Sequence, residues 1–570
     1  MISKLSSAPD CFSLSAHQMG EEGRGEVGFP VKSTFRFLCS LLLISFSLAS
    51  HATEPFTILK PAAFSHHIER FNSMEDENVT NFVSNAHSWD WLQQNIPFFE
   101  CPDAEVEKIY FYRWWSFRKH IKQTPKGFVI TEFLTPVSHA GDFNTISCAK
   151  EFHILEGRWL RDARYVDDYI RFWLRGDDGK PVRKFHNFSS WFAMAVYEDY
   201  LVNGNKKFTV GLLNDLVADY RLWEQERQLP NGLFWQYDVR DGMEESISGS
   251  RTLKNIRPTI NSYMFANAQA IADIARLANK PKLAAEFTTK AGDLKRLTQQ
   301  HLWDTNASFF KVLIATNASV PFVLSDAREA IGFVPWMFNL PDPAPAHAAA
   351  FAQLTDSQGF SAPYGFTTAE RRHPQFRSHG VGTCEWDGAI WPFATSQTLY
   401  AVANVLRESQ TAAPGISSLS PSDGERAGVR GLPIYSQDYF SAFLTYTHSQ
   451  HANGKPYIGE YQDEVTGDWI NGKNGRSRYY NHSTYADLLI TGVVGLRPRA
   501  DNIVEVWPLL SNGTWDWFCL DGVKYHGRML TILWDKDGSR YGHGAGLQIL
   551  ANGKQIAHAP TLERITGRLP

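Results

Sequence analysis

Three long segments of the sequence combine carboxylates with tryptophan or tyrosine beside the start of a predicted helix. They read GLFWQYDVRDGMEESISGSRTLKNIRPTINSY from Gly232, SAPYGFTTAERRHPQFRSHGVGTCEWDGAIWPF from Ser361, and PYIGEYQDEVTGDWINGKNGRSRYYNHSTY from Pro456. Cleavage of an acetal needs a proton donor at the leaving oxygen and a second carboxylate that activates water or attacks the anomeric carbon. Flat aromatic faces position the sugar ring. The segments therefore contain the residue types of a site that cleaves glycosidic bonds.

The adjacent carboxylates Glu244 and Glu245 follow a glycine and precede small polar residues, with Arg251 nearby. Most Glu-Glu pairs are solvated surface groups. A catalytic acid must instead keep its proton, which requires partial burial beside apolar groups such as Met243 or Trp235. Arg251 would hold the neighbouring carboxylate ionised, so only one of the pair can be the acid. From the residues alone, a purely structural role for Glu244 and Glu245 remains an alternative.

Paired amphipathic helices are the elements that must position these segments. The clearest pair is INSYMFANAQAIADIARLANK, from Ile260, followed at once by PKLAAEFTTKAGDLKRLTQQHLW, from Pro281. Apolar residues recur at helical spacing in the first, and the short connection predicts two antiparallel helices. Further helices are predicted at GRWLRDARYVDDYIRFWL, FSSWFAMAVYEDYLV, KKFTVGLLNDLVADYRLWEQER, AHAAAFAQL, AIWPFATSQTLYAVANVL, DYFSAFLTYTHSQ and NHSTYADLLITGVVGL.

Short turns alternate with long loops along this helical series. A closed ring of helical hairpins needs such alternation, because short turns gather at one end and long loops build a site at the other. We therefore predict a mainly α protein, with a helical toroid at residues 105–495 after an N-terminal extension at 53–104. Short β-rich runs after Arg497, such as RMLTILWD, predict a small C-terminal β-sandwich domain at 496–570.

Composition gives no reason to expect nucleic acid as a partner, since the net charge is −4 and no basic run occurs. The chain is rich in aromatic residues, with 18 Trp, which either stack on sugars or fill a large helical core. Beyond the N-terminal leader, Cys101, Cys148, Cys384 and Cys519 are widely spaced, so they predict no metal site and leave disulfides open. We expect no cofactor, and the sequence does not set the oligomeric state.

The N-terminus carries the features of a secretory signal peptide. Lys32 and Arg36 precede the apolar run Phe37–Ser50, and Ser50-His51-Ala52 fits a small-x-small cleavage site. The run is too short for a comfortable membrane span. We therefore expect residues 1–52 to be removed, with Met19 as an alternative start, and the mature chain to be secreted or periplasmic without a stable membrane span.

The order of the loops resembles glycoside hydrolase family 63 and the related trehalase-like and mannosylglycerate-hydrolase-like (α/α)6-barrel glycosidases. RDGMEESISGSR and RPTINSYMFANAQAIADIA are similar to that group's ESGMDNSPRW-like loop and the RPxDLNSYLY-like helix that follows it. GEYQDEVTG is similar to its later ENYDPxTG motif, and EWDGAIWPF to its tryptophan-rich substrate loop. The resemblance covers roughly residues 100 to 500 and implies an (α/α)6 toroid of the six-hairpin type.

This resemblance implies an inverting glycoside hydrolase with Glu244 as general acid and Glu460 as general base. The family usually has Asp at the position of Glu244, which keeps Glu245 as a rival for the acid. The expected ligands of an oligosaccharide or glycoside substrate are aromatic and polar side chains of the same loops. They are Trp235, Asp241, Glu245, Arg251, Trp386, Asp387, Trp391, Tyr461, Tyr480 and His482. The large N-terminal β-domain of many relatives has no room here, so the sugar stays undecided.

Two other classes of function remain open. A polysaccharide lyase on the same scaffold would use residues such as His186, Asn187 and Tyr263, although a helix cap at Asn187 and a core position for Tyr263 explain them more simply. A non-catalytic carbohydrate-binding protein would keep the fold and bind sugar without turnover. Asp387 is either a ligand of a sugar hydroxyl or the buried partner of an arginine.

Overall fold

The computed structural model describes residues 56–316, 322–411, 433–471 and 475–570. The predicted leader at 1–52 lies outside these ranges. From Pro55 onward the chain forms one compact unit, in which helices dominate and sheets follow at the C-terminal end. This order of elements confirms the predicted helix-rich chain with a C-terminal sheet domain. Within the described ranges, each helix is too short or too polar to cross a bilayer.

The longer helices agree with the periodicity of the sequence, because each buries the stripe of apolar residues that predicted it. The α-helices are α1 (Ser65–Asn72), α2 (Ser88–Asn95), α3 (Ala104–His120), α4 (Lys150–Gly157), α5 (Arg164–Arg175), α6 (Phe192–Asn203), α7 (Lys206–Gly211), α8 (Leu213–Arg227), α9 (Asp238–Asp241), α10 (Pro258–Leu277), α11 (Pro281–Leu302), α12 (Val334–Met337), α13 (Pro345–Ala348), α14 (Pro392–Thr411), α15 (Ser436–Ser449) and α16 (Ala486–Leu488).

Six of these helices contact one another in a closed succession. Helix α4 packs on α6, α6 on α10, α10 on α12, α12 on α14, α14 on α16, and α16 on α4. Other helices pack against members of this succession: α5 against α4, α8 and α11 against α10, and α15 against α14. The predicted hairpin of α10 and α11 is present, with its turn at Asn279 in the left-handed region.

Four long connections end where a helix of this succession begins, at Lys150, Pro258, Pro392 and Ala486. Backbone hydrogen bonds join these connections to one another. Their donor–acceptor pairs are Trp386 N to Glu244 O at 2.9 Å, Asn481 N to Glu132 O at 3.0 Å, and Ile390 N to Gln462 O at 2.9 Å. The loops that carry the candidate residues therefore meet in one region.

Two predicted helices differ from the structure. The helix expected over residues 157–174 is broken, because α4 ends at Gly157 and the Asp162 side chain accepts a hydrogen bond from Arg164 N (3.0 Å) at the start of α5. The helix expected over residues 481–496 begins only at Ala486. There the buried Glu156 carboxylate accepts hydrogen bonds from three successive backbone N–H groups, of residues 485–487, which fixes the first turn.

The strands form two larger antiparallel sheets and several two-stranded hairpins. They are β1 (Phe98–Glu100), β2 (Ile121–Thr124), β3 (Gly127–Ile130), β4 (Trp303–Asp304), β5 (Phe309–Phe310), β6 (Leu313–Ala315), β7 (Phe322–Leu324), β8 (Ser361–Ala362), β9 (Gly365–Phe366), β10 (His451–Ala452), β11 (Lys455–Pro456), β12 (Leu496–Arg497), β13 (Ile503–Val506), β14 (Trp517–Tyr525), β15 (Arg528–Asp535), β16 (Gly546–Ala551), β17 (Lys554–Ala559) and β18 (Ile565–Arg568). One C-terminal sheet has the order β12-β13-β18, and the five-stranded sheet has the order β1-β14-β15-β16-β17.

Strand β1 comes from the N-terminal segment yet completes the C-terminal five-stranded sheet, with Phe99 opposite Leu520. Phe99 is fully buried, and its ring lies 5.5 Å from that of Tyr110 and 6.4 Å from that of Trp515. The Asp521 carboxylate of β14 also accepts hydrogen bonds from two backbone N–H groups of residues 58 and 59. The N-terminal segment thus joins the helical part to the C-terminal sheet.

We expect Phe99→Ala to lower the free energy of unfolding by about 3–5 kcal/mol, because it leaves a cavity where helix α3 and the sheet meet. Urea denaturation measures the change. Leu222 is 40% exposed on α8, so Leu222→Ala is the control and should stay within about 0.5 kcal/mol of the original chain. Equal effects of the two substitutions would contradict a core that spans both parts.

Candidate active site

A buried ion pair anchors the loop that carries Glu244. Asp241 accepts a hydrogen bond from Arg257 Nε at 2.5 Å, and neither side chain is exposed. Ser189 and Thr259 also donate to the Asp241 carboxylate. We predicted Asp241 as a substrate ligand, but the structure places its carboxylate beneath the loop, tied to the first turn of α10.

Gly242 turns the chain immediately after this anchor. Its φ is +69°, and a Cβ added there would lie 2.5 Å from Cys148 Sγ, so both the backbone and the space require glycine. Met243 follows and is fully buried. The turn places the half-buried Glu244 next, with its backbone carbonyl accepting from Trp386 N.

Glu244 has the electrostatic character of a proton donor. Its pKa is raised to about 7, chiefly by burial and also by the negative charges of Glu460 and Asp238, while the Arg251 charge acts in the opposite direction. Arg251 itself is exposed. We predicted an arginine that holds the neighbouring carboxylate; Arg251 acts in this structure through its charge on Glu244.

Arg377 is the arginine that pairs with Glu245. Its Nη1 lies 3.1 Å from the Glu245 carboxylate, its Nη2 lies 2.8 Å from that of Asp387, and Thr383 Oγ1 donates to Glu245 at 3.0 Å. Glu245 is therefore held by an ion pair and a hydroxyl hydrogen bond. Asp387 has the arginine partner that was one of its two predicted roles, yet burial still raises its pKa to about 6.

Glu460 is buried and oriented by neutral donors. Asn471 Nδ2 donates to its Oε2 at 2.8 Å and Ser477 Oγ donates to the same oxygen at 3.0 Å. Cys384 Sγ lies 3.7 Å from the other oxygen, Oε1. Neutral donors fix the direction of a carboxylate while leaving it able to accept a proton.

Glu132 is a third carboxyl group at the site that the sequence did not reveal. It is buried, Tyr480 Oη donates to its Oε1, and its Oε2 has no hydrogen-bond partner among the described residues. Burial raises its pKa to about 8, and the charges of Glu460 and Glu244 contribute in the same direction. The available signal was a single carboxylate inside the apolar run FVITEF.

Aromatic rings stack beside these carboxyl groups. Trp391 lies between Trp386 (centroids 4.8 Å apart) and Tyr461 (4.6 Å, planes 9° apart). His482 lies 4.2 Å from the Tyr480 ring and is buried, which holds its pKa well below the usual range and keeps the imidazole neutral. These predicted ligands share one cluster. Trp386 Nε1 is a buried donor with no partner among the described residues.

Trp235 does not join the aromatic cluster. It is 5% exposed, and the Arg227 and Lys254 cations lie 4.5 Å and 4.8 Å from its ring centre. Glu385, a further candidate carboxylate, accepts hydrogen bonds from three backbone N–H groups at residues 381–383, which lower its pKa despite partial burial. Both residues therefore support loops that carry the site.

The residues considered for a lyase have separate partners. His186 stacks on Trp223 at 4.6 Å and bonds to Asp219, whereas the buried Tyr263 accepts a hydrogen bond from Gln397 Nε2 at 2.7 Å. In the described part of the chain, no three His, Cys, Asp or Glu side chains gather as a metal site would require.

Comparison with known proteins identifies the family of the chain. The family described as "Mannosylglycerate hydrolase MGH1-like glycoside hydrolase domain" matches residues 142–483, more than half of the chain. The chain belongs to this MGH1-like glycoside hydrolase family. The predicted resemblance is confirmed. Residues 496–558 of the MGH1-like hydrolase match a second family, "Glycosyl hydrolase family 65, C-terminal domain".

Solved structures extend the comparison. A protein named "Sialidase" is 49% identical to this chain, over 89% of this chain and 45% of that protein, with a TM-score of 0.83. This chain therefore spans less than half of that protein's length. The GH78 family rhamnosidase of Bacillus sp. GL1 is 13% identical over 80% of this chain and 42% of its own, with a TM-score of 0.51. A GH63 mannosylglycerate hydrolase from Thermus thermophilus, in complex with glucose, is 12% identical over 67% and 98%, with a TM-score of 0.48.

The raised pKa of Glu132 predicts how the stability of this MGH1-like hydrolase depends on pH. Between about pH 4.3, where an unfolded glutamate titrates, and about pH 8, the folded chain keeps a proton that the unfolded chain has lost. The free energy of unfolding therefore falls as pH rises, by about 1.4 kcal/mol per pH unit from this group. Glu132→Gln cannot ionise, so its urea-derived stability should fall less steeply over this window.

The matched control is Glu286→Gln on α11, since Glu286 is 41% exposed and its nearest ion-pair distance, to Arg221, is 3.5 Å. This variant should keep the slope of the original chain. A Glu132→Gln variant whose stability follows the original pH dependence would contradict the buried, protonated state of Glu132.

Proposed function

We propose that this hydrolase cleaves a glycosidic bond with inversion at the anomeric carbon, with Glu244 as general acid and Glu460 as general base. The observation that carries the proposal is that one loop contacts both residues: Trp386 N donates to Glu244 O at 2.9 Å, and Cys384 Sγ lies 3.7 Å from Glu460 Oε1. The charge of Glu460 also contributes to the raised pKa of Glu244. With a pKa of about 7, Glu244 is protonated in a large fraction of molecules at neutral pH and is a strong enough acid to protonate a leaving oxygen.

In this mechanism the proton of Glu244 moves to the glycosidic oxygen as the bond from that oxygen to the anomeric carbon breaks. A water molecule attacks the anomeric carbon from the opposite face and gives its proton to Glu460. Solvent then returns a proton to Glu244 and removes one from Glu460. An inverting enzyme needs room for this water, which requires carboxyl groups about 6.5–9.5 Å apart; a retaining enzyme has about 5–5.5 Å.

We propose that three buried polar atoms of the site, which have no hydrogen-bond partner among the described residues, bind the hydroxyl groups of the sugar. They are Glu132 Oε2, Trp386 Nε1 and Asp387 Oδ1. An unpaired buried polar atom is costly, so a substrate hydroxyl at each would stabilise the complex. Neutral Glu132 can donate a hydrogen bond and adds no negative charge beside Glu460. The stacked faces of Trp386 and Trp391 supply an apolar surface for the ring.

The charge of the site favours a neutral sugar. Its carboxyl groups outnumber its cations, and Arg377 is already shared between Glu245 and Asp387. A sugar carboxylate would therefore meet repulsion. The relative named "Sialidase" is more than twice as long as the region it shares with this chain. Its name describes that whole protein and is no reason to expect an acidic sugar as the substrate of this chain.

We propose that the six helices in closed succession form the inner ring of an (α/α)6 toroid. The contact of α16 with α4 supports this arrangement, because it joins the last helix of the succession to the first. The helices packed against the succession, α5, α8, α11 and α15, would belong to the outer ring. The long loops before α4, α10, α14 and α16 would then surround one opening of the toroid. Glu244 and Glu460 lie on two of these loops.

Hydrolysis of a panel of neutral disaccharides and aryl glycosides tests the activity. Proton NMR of the first product, recorded before mutarotation, should show the anomer opposite to that of the substrate. Retention of configuration would contradict the roles proposed for Glu244 and Glu460. Release of an unsaturated, ultraviolet-absorbing product would indicate a lyase, and saturable binding without turnover would indicate a binding protein.

Glu460→Gln should lower kcat by about 10²- to 10⁴-fold while leaving sugar binding nearly unchanged, because the amide keeps the shape but cannot take a proton. Glu244→Gln should lose a similar factor on substrates with poor leaving groups and much less on activated aryl glycosides. Steady-state kinetics measure both, with Glu286→Gln as the control expected to keep full activity. Near-normal rates in either site variant would reject the assignment, and Glu245 would be tested next.

We also propose that the mature chain is exported after cleavage behind Ala52. The proposal rests on the sequence of the leader, Lys32 to Ala52. The intact mass of the protein recovered from the periplasm or medium would identify the cleavage site, and a chain retained in the cytoplasm at full length would contradict export.

A further inference from the structure

A cavity of about 200 Å³ lies between helices of the closed succession. It is lined by polar and apolar side chains from several of them. They are Leu155, Arg158, Trp191, Met194, Glu198, Gln269, Met337, Phe338, Asn339, Tyr400, Asn404, Thr491, Arg497 and Pro498. A cavity of about 150 Å³ already admits benzene, so this one can hold a small organic molecule.

The cavity is separate from the candidate active site. Gln269 and Asn404 lie about 16 Å and 18 Å along α10 and α14 from the helix starts at Pro258 and Pro392, at about 1.5 Å per residue. Those helix starts follow the loops that carry Glu244 and Trp386. The cavity therefore belongs to the other end of the same helices.

A layer of aromatic rings closes the space between the two regions. Trp191 and Phe338 line the cavity, with ring centres 5.5 Å apart. Phe152 lies 5.6 Å from Trp191 and 4.8 Å from Phe393, which in turn contacts Trp386 at 5.9 Å. A ligand in the cavity would thus touch none of the carboxyl groups proposed for catalysis.

Three arginines gather at this cavity, and only one has carboxylate partners. Arg158 pairs with Asp487 at 2.9 Å and Glu198 at 2.6 Å. The half-buried Arg497 lines the cavity, and its side chain forms no ion pair or hydrogen bond with the described residues. Arg407 is 4% exposed and donates only to the backbone carbonyls of residues 491 and 507.

The two arginines without carboxylates repel one another. The pKa of Arg407 is held well below its usual range, first by burial and then by the charge of Arg497, and burial lowers that of Arg497 as well. Arginine nevertheless stays charged in proteins. The charge of Glu505 acts on both arginines and that of Glu198 on Arg497, but neither arginine has a carboxylate in direct contact within the described residues. A buried cation without a direct ion-pair partner is costly, and an anion in the cavity would lower that cost.

We propose that this cavity binds a small hydroxylated carboxylate, of the size of a sugar acid, with its carboxylate on Arg497. A guanidinium matches a carboxylate with two parallel hydrogen bonds. The amides of Gln269, Asn339 and Asn404 lie in the same lining and suit hydroxyl groups, whereas Trp191 and Phe338 offer apolar faces to the carbon chain. This combination of groups fits an organic acid better than an inorganic ion, which has no apolar part.

Isothermal titration of the whole protein with D-glucuronate tests the proposal, with D-glucose as the matched neutral probe and inorganic phosphate as the inorganic anion. We expect glucuronate to bind, and glucose and phosphate to bind at least 10-fold more weakly. Arg497→Gln should weaken glucuronate about 10-fold or more, since it removes a charged hydrogen-bonding group. Arg497→Lys should restore part of the loss.

Two further variants distinguish binding in this cavity from binding at the proposed catalytic site. Gln269→Glu places a negative charge in the lining and should abolish glucuronate binding even if Arg497→Gln folds poorly. Glu460→Gln changes only the proposed catalytic site and should bind glucuronate as the original chain does. The proposal is overturned if glucuronate does not bind, if phosphate binds as tightly, if the Arg497 and Gln269 variants bind normally, or if Glu460→Gln alone removes binding.

Discussion

Mutual repulsion among carboxyl groups in a small, partly apolar space is the constraint on which this structure depends. Glu132, Glu244 and Glu460 come from three different loops and influence one another's charge. The charge of Glu460 contributes to the raised pKa of both Glu132 and Glu244. Their assembly is possible because each has its own support: Tyr480 for Glu132, a buried loop anchor for Glu244, and two neutral donors for Glu460.

The buried pair of Asp241 and Arg257 shows how the fold maintains this arrangement. Breaking such a pair leaves one charge unpaired in the core, which costs about 3–5 kcal/mol. The pair ties the loop before Glu244 to the first turn of α10, whose own position is fixed by packing on α6, α11 and α12. The position of the loop that carries Glu244 is therefore set by the packing of these helices and not by the sequence of the loop alone.

Local patterns in the sequence were sufficient for the elements that depend on local interactions. The hairpin of α10 and α11 was predicted because its apolar period and its turn residue act within a few positions. The start of α16 was not, because Glu156 fixes it from more than three hundred residues away. Motif order was the basis for predicting roles for Glu244 and Glu460. Glu132 and Arg377 act through contacts between distant loops, for which a single sequence carries no pattern.

The high aromatic content allowed two interpretations, rings that stack on a sugar and rings that fill a helical core. The structure contains rings in both kinds of position. Trp159 and Trp173 are fully buried in the helical core, whereas Trp386 and Trp391 stack beside the carboxyl groups. Residue type alone does not separate the two roles, since burial is similar in each case. What differs is the neighbourhood: the stacked pair sits in a loop with Asp387, and the core tryptophans sit on or beside α4 and α5.

Strand β1 has a consequence for the order in which the chain folds. Its neighbour in the sheet, β14, is made some four hundred residues later, so a nascent chain holds the N-terminal strand unpaired for most of its synthesis. Contacts between such distant segments are slow to form, because a long loop must close first. Until then the apolar strand is an open edge that can pair with another chain. Cellular yield of this protein should therefore depend on chaperones that shield this N-terminal strand until β14 has been synthesised.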